Sequence, residues 1–265
     1  MGKAARRAGK TAEAAAPGGS VDPEELAKFS ALAEAWWDPD GKFKPLHRLN
    51  PARLTFIRDR AAAHFGRDPK AERPLVGLTV LDIGCGGGLL AEPLTRLGAK
   101  VTGLDAAEES LQIARRHAAE QGLEIDYRHA TAEALAGSGT TFDLVLNMEV
   151  VEHVADVEGF MAAAGALVRP GGAMVMATLN RTPKAFLFAI VGAEYLLRWL
   201  PRGTHDWRRF VRPSEAARAL RPAGLEVAEV CGLAYNPLTD AWRLAPRDTD
   251  VNYMLFAIKD GAAKD

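Results

Sequence analysis

Residues 80–88 read Val-Leu-Asp-Ile-Gly-Cys-Gly-Gly-Gly, and a second apolar run, Lys100-Val-Thr-Gly-Leu-Asp105, follows. Val80, Leu81 and Ile83 spell a short buried strand. Gly84, Gly86 and Gly88 let the backbone turn tightly and approach a ligand with no Cβ in the way. Segment 89–97 has helical spacing, which places the glycines at a strand-to-helix switch, where open α/β sheets bind ligands. Asp105 stands about twenty residues further on, the position from which a carboxylate holds ribose hydroxyls.

Spacing separates this loop from a dinucleotide fingerprint. Gly-x-Gly-x-x-Gly would need a third glycine where Leu89 stands. The pattern is instead Asp82-x-Gly84-x-Gly86-x-Gly88, and it resembles the first motif of class I methyltransferases that use S-adenosylmethionine. That resemblance implies that the glycines make room for the methionine part of the cofactor and the acid takes its ribose. The competing reading is a tight turn that binds nothing; the order of strand, glycines, helix and acid argues against it.

From 79 onward strands and helices alternate. Strands are predicted at 79–83, 100–104, 125–128, 142–147 and 173–178, and helices at 89–97, 108–121 and 159–168. Such alternation predicts an α/β fold with right-handed crossovers, a Rossmann-like, mostly parallel sheet. Arg169-Pro-Gly-Gly172 reads as a turn into the fifth strand. Segments 225–230 and 253–258 are two more strand candidates, which the resemblance to methyltransferases implies form an antiparallel edge pair. Before this domain (79–260), residues 21–78 read as a helical cap and linker. Asp22-Pro23 starts one helix, in which Leu26, Phe29, Leu32, Ala33 and Trp36 at helical spacing form one apolar face, and a second is expected from Pro51 to about Phe65 after an irregular stretch from Phe43 to Asn50. Residues 1–20, rich in Ala, Gly, Lys and Arg, read as a disordered tail, with a transit peptide as the alternative.

Composition narrows the function classes. Hydrophobic residues make up 48% of 265, enough for an ordinary core. A net charge of −1 gives no argument for nucleic acid. Cys85 and Cys231 match no disulfide framework or zinc spacing, which suits a reducing, cytoplasmic compartment. No apolar run reaches the length of a membrane span. Residues 179–212 interrupt the alternation as an amphipathic insertion after the fifth strand. Between Arg181 and Arg212 seven Lys/Arg face two acids, a local +5. A basic, aromatic, apolar helix reads as a membrane-surface element or a lid over a lipid-like substrate, against the plainer reading of a buried helix closing the site.

Met148-Glu-Val-Val-Glu-His153 leads out of the fourth strand. Met148 would line the adenosyl pocket or simply fill the core. Glu149, Glu152 and His153, at i, i+3 and i+4, would share a helical face. Two carboxylates and an imidazole suit a divalent ion such as Mg²⁺, while His153 alone suits a general base; the spacing leaves ligand, base or neither open. The acid often found at the Thr131 position to meet adenine is missing here. Arg53 in the cap is placed to pair with a cofactor carboxylate, or else is a solvated surface arginine.

Beyond the glycine motif the chain is similar to the ubiquinone-biosynthesis O-methyltransferases. The resemblance rests on residues 21–29, Trp36-Trp37-Asp38, 43–51, 81–92, 148–154, 178–181, 191–195, 201–206 and 250–255. It implies two methylations of phenolic oxygens on polyprenylated precursors, a 2-polyprenyl-6-hydroxyphenol-type intermediate and 3-demethylubiquinol. It places cofactor contacts on Arg53, Gly84, Gly86, Asp105 and Met148. It places magnesium on Glu149, Glu152 and His153, while catalysis is assigned to His153 and Glu149 from the chemistry of those side chains. It further implies contact with an anionic membrane through 178–205, a bacterial protein at the inner membrane, and membership of a quinone-biosynthesis complex. An enzyme acting on a soluble phenolic metabolite and a non-catalytic scaffold are the alternatives.

Overall fold

Residues 79–83 form strand β1 (Thr79–Ile83) of the computed structural model, which describes residues 19–187, 206–236 and 238–261. Around β1 runs an eight-stranded sheet ordered β3-β2-β1-β4-β5-β8-β6-β7. Strands β2 (Lys100–Asp105), β3 (Asp126–His129), β4 (Phe142–Met148) and β5 (Val168–Leu179) join β1 in parallel. Strands β6 (Leu225–Asn236), β7 (Ala241–Ala245) and β8 (Asn252–Lys259) pair antiparallel. The expected α/β sheet and its antiparallel β6–β8 pair are both present.

Alternation along the strands sorts the core into two layers. On one face, Val80, Leu144, Leu146 and Val175 pack against α2 (Lys44–His64), α3 (Ala91–Arg96) and α4 (Glu108–Glu120). On the other, Leu81, Ile83, Val145 and Met174 meet α5 (Ala132–Ala136), α6 (Val157–Ala166) and α8 (Pro213–Leu220). A single turn, α7 (Pro183–Ala185), follows β5.

Four expectations are corrected. Helix α2 begins at Lys44, with Pro45 in its first turn, and carries Pro51 inside it. Proline suits a helix start, and Pro45, inside the stretch read as irregular, takes that role instead of Pro51. Because α2 is continuous, Asn50 and Arg53 reach the sheet as buried residues. The apolar face expected through Trp36 is divided: α1 (Pro23–Ser30) ends early and a 3₁₀ turn spans Ala33–Ala35. Residues Arg169–Gly172 lie within β5, beside a register shift between Phe142 and Leu144. Finally, β7 was not anticipated. Its Trp242 and Leu244 pack on the α2-side core, while Ala241 and Arg243 point outward.

The folded part starts upstream of Val21. Ser20, assigned by composition to the tail, is buried; its hydroxyl donates to Glu133 and its carbonyl accepts from the Ala155 N–H at 2.7 Å. The rest of that tail, 1–18, and most of the insertion, 188–205, lie outside the described residues.

Candidate functional site

At the C-terminal ends of the parallel strands the glycine loop is tied to β2. Gly84 N–H donates to Leu104 O at 2.7 Å and Gly86 N–H to Asp105 Oδ2 at 2.8 Å. Asp105 Oδ1 accepts from Ala107 N–H at 2.8 Å. Each carboxylate oxygen therefore keeps a lone pair for a hydroxyl from a ligand. Gly84 and Gly86 have φ of +67° and +52°, and neither could carry a side chain in place. A Cβ on Gly84 would come within 2.5 Å of Val150, and one on Gly86 within 2.4 Å of the Trp36 ring. The glycines thus serve close packing of the cap as well as room for a ligand.

The cap is seated by two tryptophans. Trp36 stacks on Phe43, ring centroids 3.8 Å apart, and donates to Ser110 Oγ at 3.1 Å. Trp37 donates to Gly87 O at 2.8 Å and stacks on His117 at 3.5 Å. His117 is held in turn by the buried carboxylate of Glu92, 2.6 Å away. In sequence Trp36 reads as part of an apolar face and Trp36-Trp37-Asp38 as part of the family resemblance, and neither reading places them over the glycine loop.

Asp82, the first residue of the glycine motif, is buried at the end of β1. Burial pushes its carboxyl up to about 7, with the nearby Asp105 adding to the rise and Arg53 opposing it. Asp105 is also raised, chiefly by burial, against the opposing pull of its backbone donors. The folded state keeps the Asp82 proton that the unfolded chain releases near pH 4. Stability contributed by this group is therefore full below pH 4, falls as pH rises toward 7, and is level above that. Urea unfolding of Asp82→Asn beside the parent is expected to remove a decline of up to about 4 kcal/mol between pH 4 and 7. Parallel pH curves for the two proteins would contradict the assignment.

Arg53 is not a solvated arginine. It is 3% exposed, its Nη2 donates to Glu149 Oε1 at 2.5 Å, and its buried Nε has no partner among the described residues. An unsatisfied buried guanidinium N–H fits an incoming carboxylate. Met148 is 8% exposed at the end of β4 and belongs to the α2-side core.

Glu149, Glu152 and His153 do not share a helical face. Glu149 follows β4 with φ of +58°, a strained conformation for a non-glycine residue, and only Val151–His153 makes a 3₁₀ turn. Their side chains take different partners: Glu149 binds Arg53, Glu152 Oε2 accepts from Thr178 at 2.9 Å, and His153 Nδ1 meets Glu25 Oε2 at 2.9 Å. Burial, with the charge of Glu149 beside it, raises the Glu152 carboxyl well above its ordinary value. Glu25 is pushed down to about 2, first by its hydrogen bond with His153. Among the described residues no group of three His, Cys, Asp or Glu is placed to hold a metal. As folded, the three do not fit Mg²⁺, which wants ionised oxygen ligands in a near-octahedral set. One carboxylate is matched by Arg53, one accepts from Thr178, and the imidazole is turned to α1.

Sequence reasoning missed Glu25, Thr178 and Asn147. Asn147 is fully buried on β4 with its Oδ1 unpartnered. Nothing local marks these residues; only the fold brings them to the turn.

Beside the turn, between α6 and α8, lies a cavity of about 410 Å³. Val151, Val154, Met161 and Ala219 line it, with Arg181, Arg208 and Arg209 among its polar residues.

Residues 81–176 match the model of the methyltransferase domain family. The ubiquinone biosynthesis O-methyltransferase of Parvibaculum lavamentivorans is 58% identical over 238 residues, covering 90% of this chain and 94% of that protein. The protein of the same name from Chelativorans sp. is 58% identical over 243 residues, covering 92% and 96%. Among solved structures, magnesium protoporphyrin IX methyltransferase from Synechocystis PCC 6803 with bound SAH superposes with a TM-score of 0.58 at 18% identity, over 88% of this chain and 94% of that one. A possible histamine N-methyltransferase from Thermotoga maritima gives 0.57 at 18%, over 89% and 99%. These structures share the fold.

Proposed function

The chain belongs to the family of ubiquinone biosynthesis O-methyltransferases and is an S-adenosylmethionine-dependent methyltransferase, and from that premise we propose how its site works and on what. The acceptors are polyprenylated phenols: a 2-polyprenyl-6-hydroxyphenol-type intermediate and 3-demethylubiquinol. The observation that carries this reading is the Asp105-tied glycine loop beneath Trp36, beside the turn bearing Glu149 and His153.

S-adenosylmethionine supplies an electrophilic methyl group on a sulfonium. Asp105 takes the ribose hydroxyls, the loop of Gly84 and Gly86 follows the methionine part, Met148 packs beside the adenosyl group, and Arg53 offers its unpartnered Nε to the carboxylate. Above about pH 7, where Asp82 is ionised, its charge complements the positive charge of the sulfonium. The chain's remaining task is to align the phenolic oxygen and remove its proton, since a phenolate is the stronger nucleophile. His153 takes that proton on Nε2, which no hydrogen bond among the described residues engages. Glu149 fixes Arg53. Magnesium enters no step here, because its expected ligands are differently engaged.

Two features support an apolar acceptor reached from a membrane. The cavity beside Val151 and Val154 has room for part of a prenyl chain. Phe186 and Leu187, where the chain enters the insertion, are 46% and 54% exposed. The charge argument is weaker than composition implied, because distant acids fold onto the basic flanks. Arg181 pairs with Glu215, Lys184 with Asp248 and Asp250, and Arg209 with Asp22. Docking at the inner face of a bacterial membrane therefore rests on apolar side chains more than on the +5, and 188–205, the bulk of the contact segment, lies outside the described residues. No described helix is long and apolar enough to cross a membrane. Association with other quinone-biosynthesis proteins belongs to the same reading.

Acceptor competition tests it. With S-adenosylmethionine fixed, kcat/KM is expected to rise at least ~10-fold from tail-less demethylubiquinol to one carrying two isoprene units, since each buried CH₂ contributes about 0.8 kcal/mol. Equal values would favour the soluble-phenol alternative.

A further inference from the structure

We propose that Glu25 of the N-terminal cap is a positioning residue for catalysis, orienting His153 as the base; this rests on the role given to His153 above. The two residues are separated by 128 positions, yet Glu25 Oε2 lies 2.9 Å from His153 Nδ1. A carboxylate paired with the imidazole only accepts, so Nδ1 carries the hydrogen. That fixes the tautomer: Nε2 is left with its lone pair, the form in which imidazole can take a phenolic proton. The ring is also held edge-on by Phe29 of the same helix, centroids 5.3 Å apart at 88°.

The carboxylate is placed from both sides. Lys28 binds the other oxygen of Glu25 at 2.6 Å. Helix α1 is anchored at its start by the Val21–Val154 bridge, the Ser20–Ala155 hydrogen bond and the Asp22–Arg209 ion pair. Two of these anchors land on Val154 and Ala155, next to His153 itself. The cap therefore does more than cover the cofactor loop. The same element that sets Trp36 over Gly86 delivers the carboxylate that aligns the base, so the base is aligned only when the cap is down.

The test compares Glu25→Gln, Glu25→Asp, His153→Asn and the double variant Glu25→Gln/His153→Asn. Each is assayed for kcat and KM on short-tailed demethylubiquinol, for S-adenosylhomocysteine affinity by calorimetry, and for the ¹⁵N signature of the His153 tautomer. Glu25→Gln is expected to lower kcat at least ~10-fold with KM and cofactor affinity unchanged within twofold, and to mix the tautomers. Glu25→Asp should recover part of kcat. The double variant should be no slower than His153→Asn alone, because the two residues act as one unit. A Glu25→Gln enzyme with parental kcat, or one whose losses multiply with those of His153→Asn, overturns the positioning role. A His153→Asn enzyme with parental kcat overturns the base assignment itself, which separates that failure from the failure of Glu25.

Discussion

Asp105→Ala is expected to weaken S-adenosylhomocysteine binding at least ~100-fold, about 3 kcal/mol, the largest effect of any single change at the cofactor seat. Two losses add. The ribose hydroxyls lose their acceptor, and the Gly86 and Ala107 N–H groups lose a charged partner, a hydrogen bond of the stronger class at about 1.5–3 kcal/mol each. With Gly86 released, the loop that follows the methionine part is no longer held to β2. Asp105→Asn should fall between, since one oxygen remains for one N–H while the new amide faces the other donor. Calorimetric titration reads the effect, and a Kd within threefold of the parent would remove Asp105 from the site.

Arg53→Ala is expected to destabilise the protein by about 2–4 kcal/mol in urea denaturation, from breaking a largely buried ion pair. Arg53 is 3% exposed and its partner Glu149 22%, so water screens the carboxylate only in part. Removing the guanidinium leaves Glu149 against Glu152 with no cation between α2 and the turn. The loss should shrink in Arg53→Ala/Glu149→Gln, because the double variant no longer buries an unmatched charge. Arg53→Lys should not restore the parent, since a compact ammonium cannot serve Glu149 and a cofactor carboxylate with one fork. A stability change below about 0.5 kcal/mol, the range of ordinary surface substitutions, would contradict the pairing.

What the sequence disclosed, and what it withheld, follows from the range of the interactions involved. The β1–glycine–Asp105 unit was legible because it is local: a short apolar run, residues able to take positive φ, and an acid at the end of the next strand. The antiparallel β6–β8 pairing is not local, and it was expected only because the resemblance to methyltransferases implies it. The start of α2 was not legible, because Pro45 and Pro51 carry the same signal. Only packing decides that the helix runs through the second, and that decision is what buries Arg53.

The Glu149–His153 spacing misled because helical periodicity assumes helical backbone. A strand that ends in a left-handed residue and a single 3₁₀ turn sends i, i+3 and i+4 to separate partners. Glu25 left no trace in pattern, since its relation to His153 exists only once the cap is docked. The local +5 misled in the opposite way. It was a true count, but Asp22, Glu215, Asp248 and Asp250 come from elsewhere in the chain to offset it.

The central claim is that this site moves a methyl group from S-adenosylmethionine to a phenolic oxygen of a prenylated acceptor. The measurement that tests it most directly is incubation of the protein with ¹³C-methyl-labelled S-adenosylmethionine and short-tailed 3-demethylubiquinol, with the label traced by NMR. One labelled methyl, attached to oxygen as an aryl ether, is expected, with transfer strongly reduced in Asp105→Ala at cofactor concentrations below that variant's Kd. Label on ring carbon, or no transfer while S-adenosylhomocysteine still binds, would contradict it.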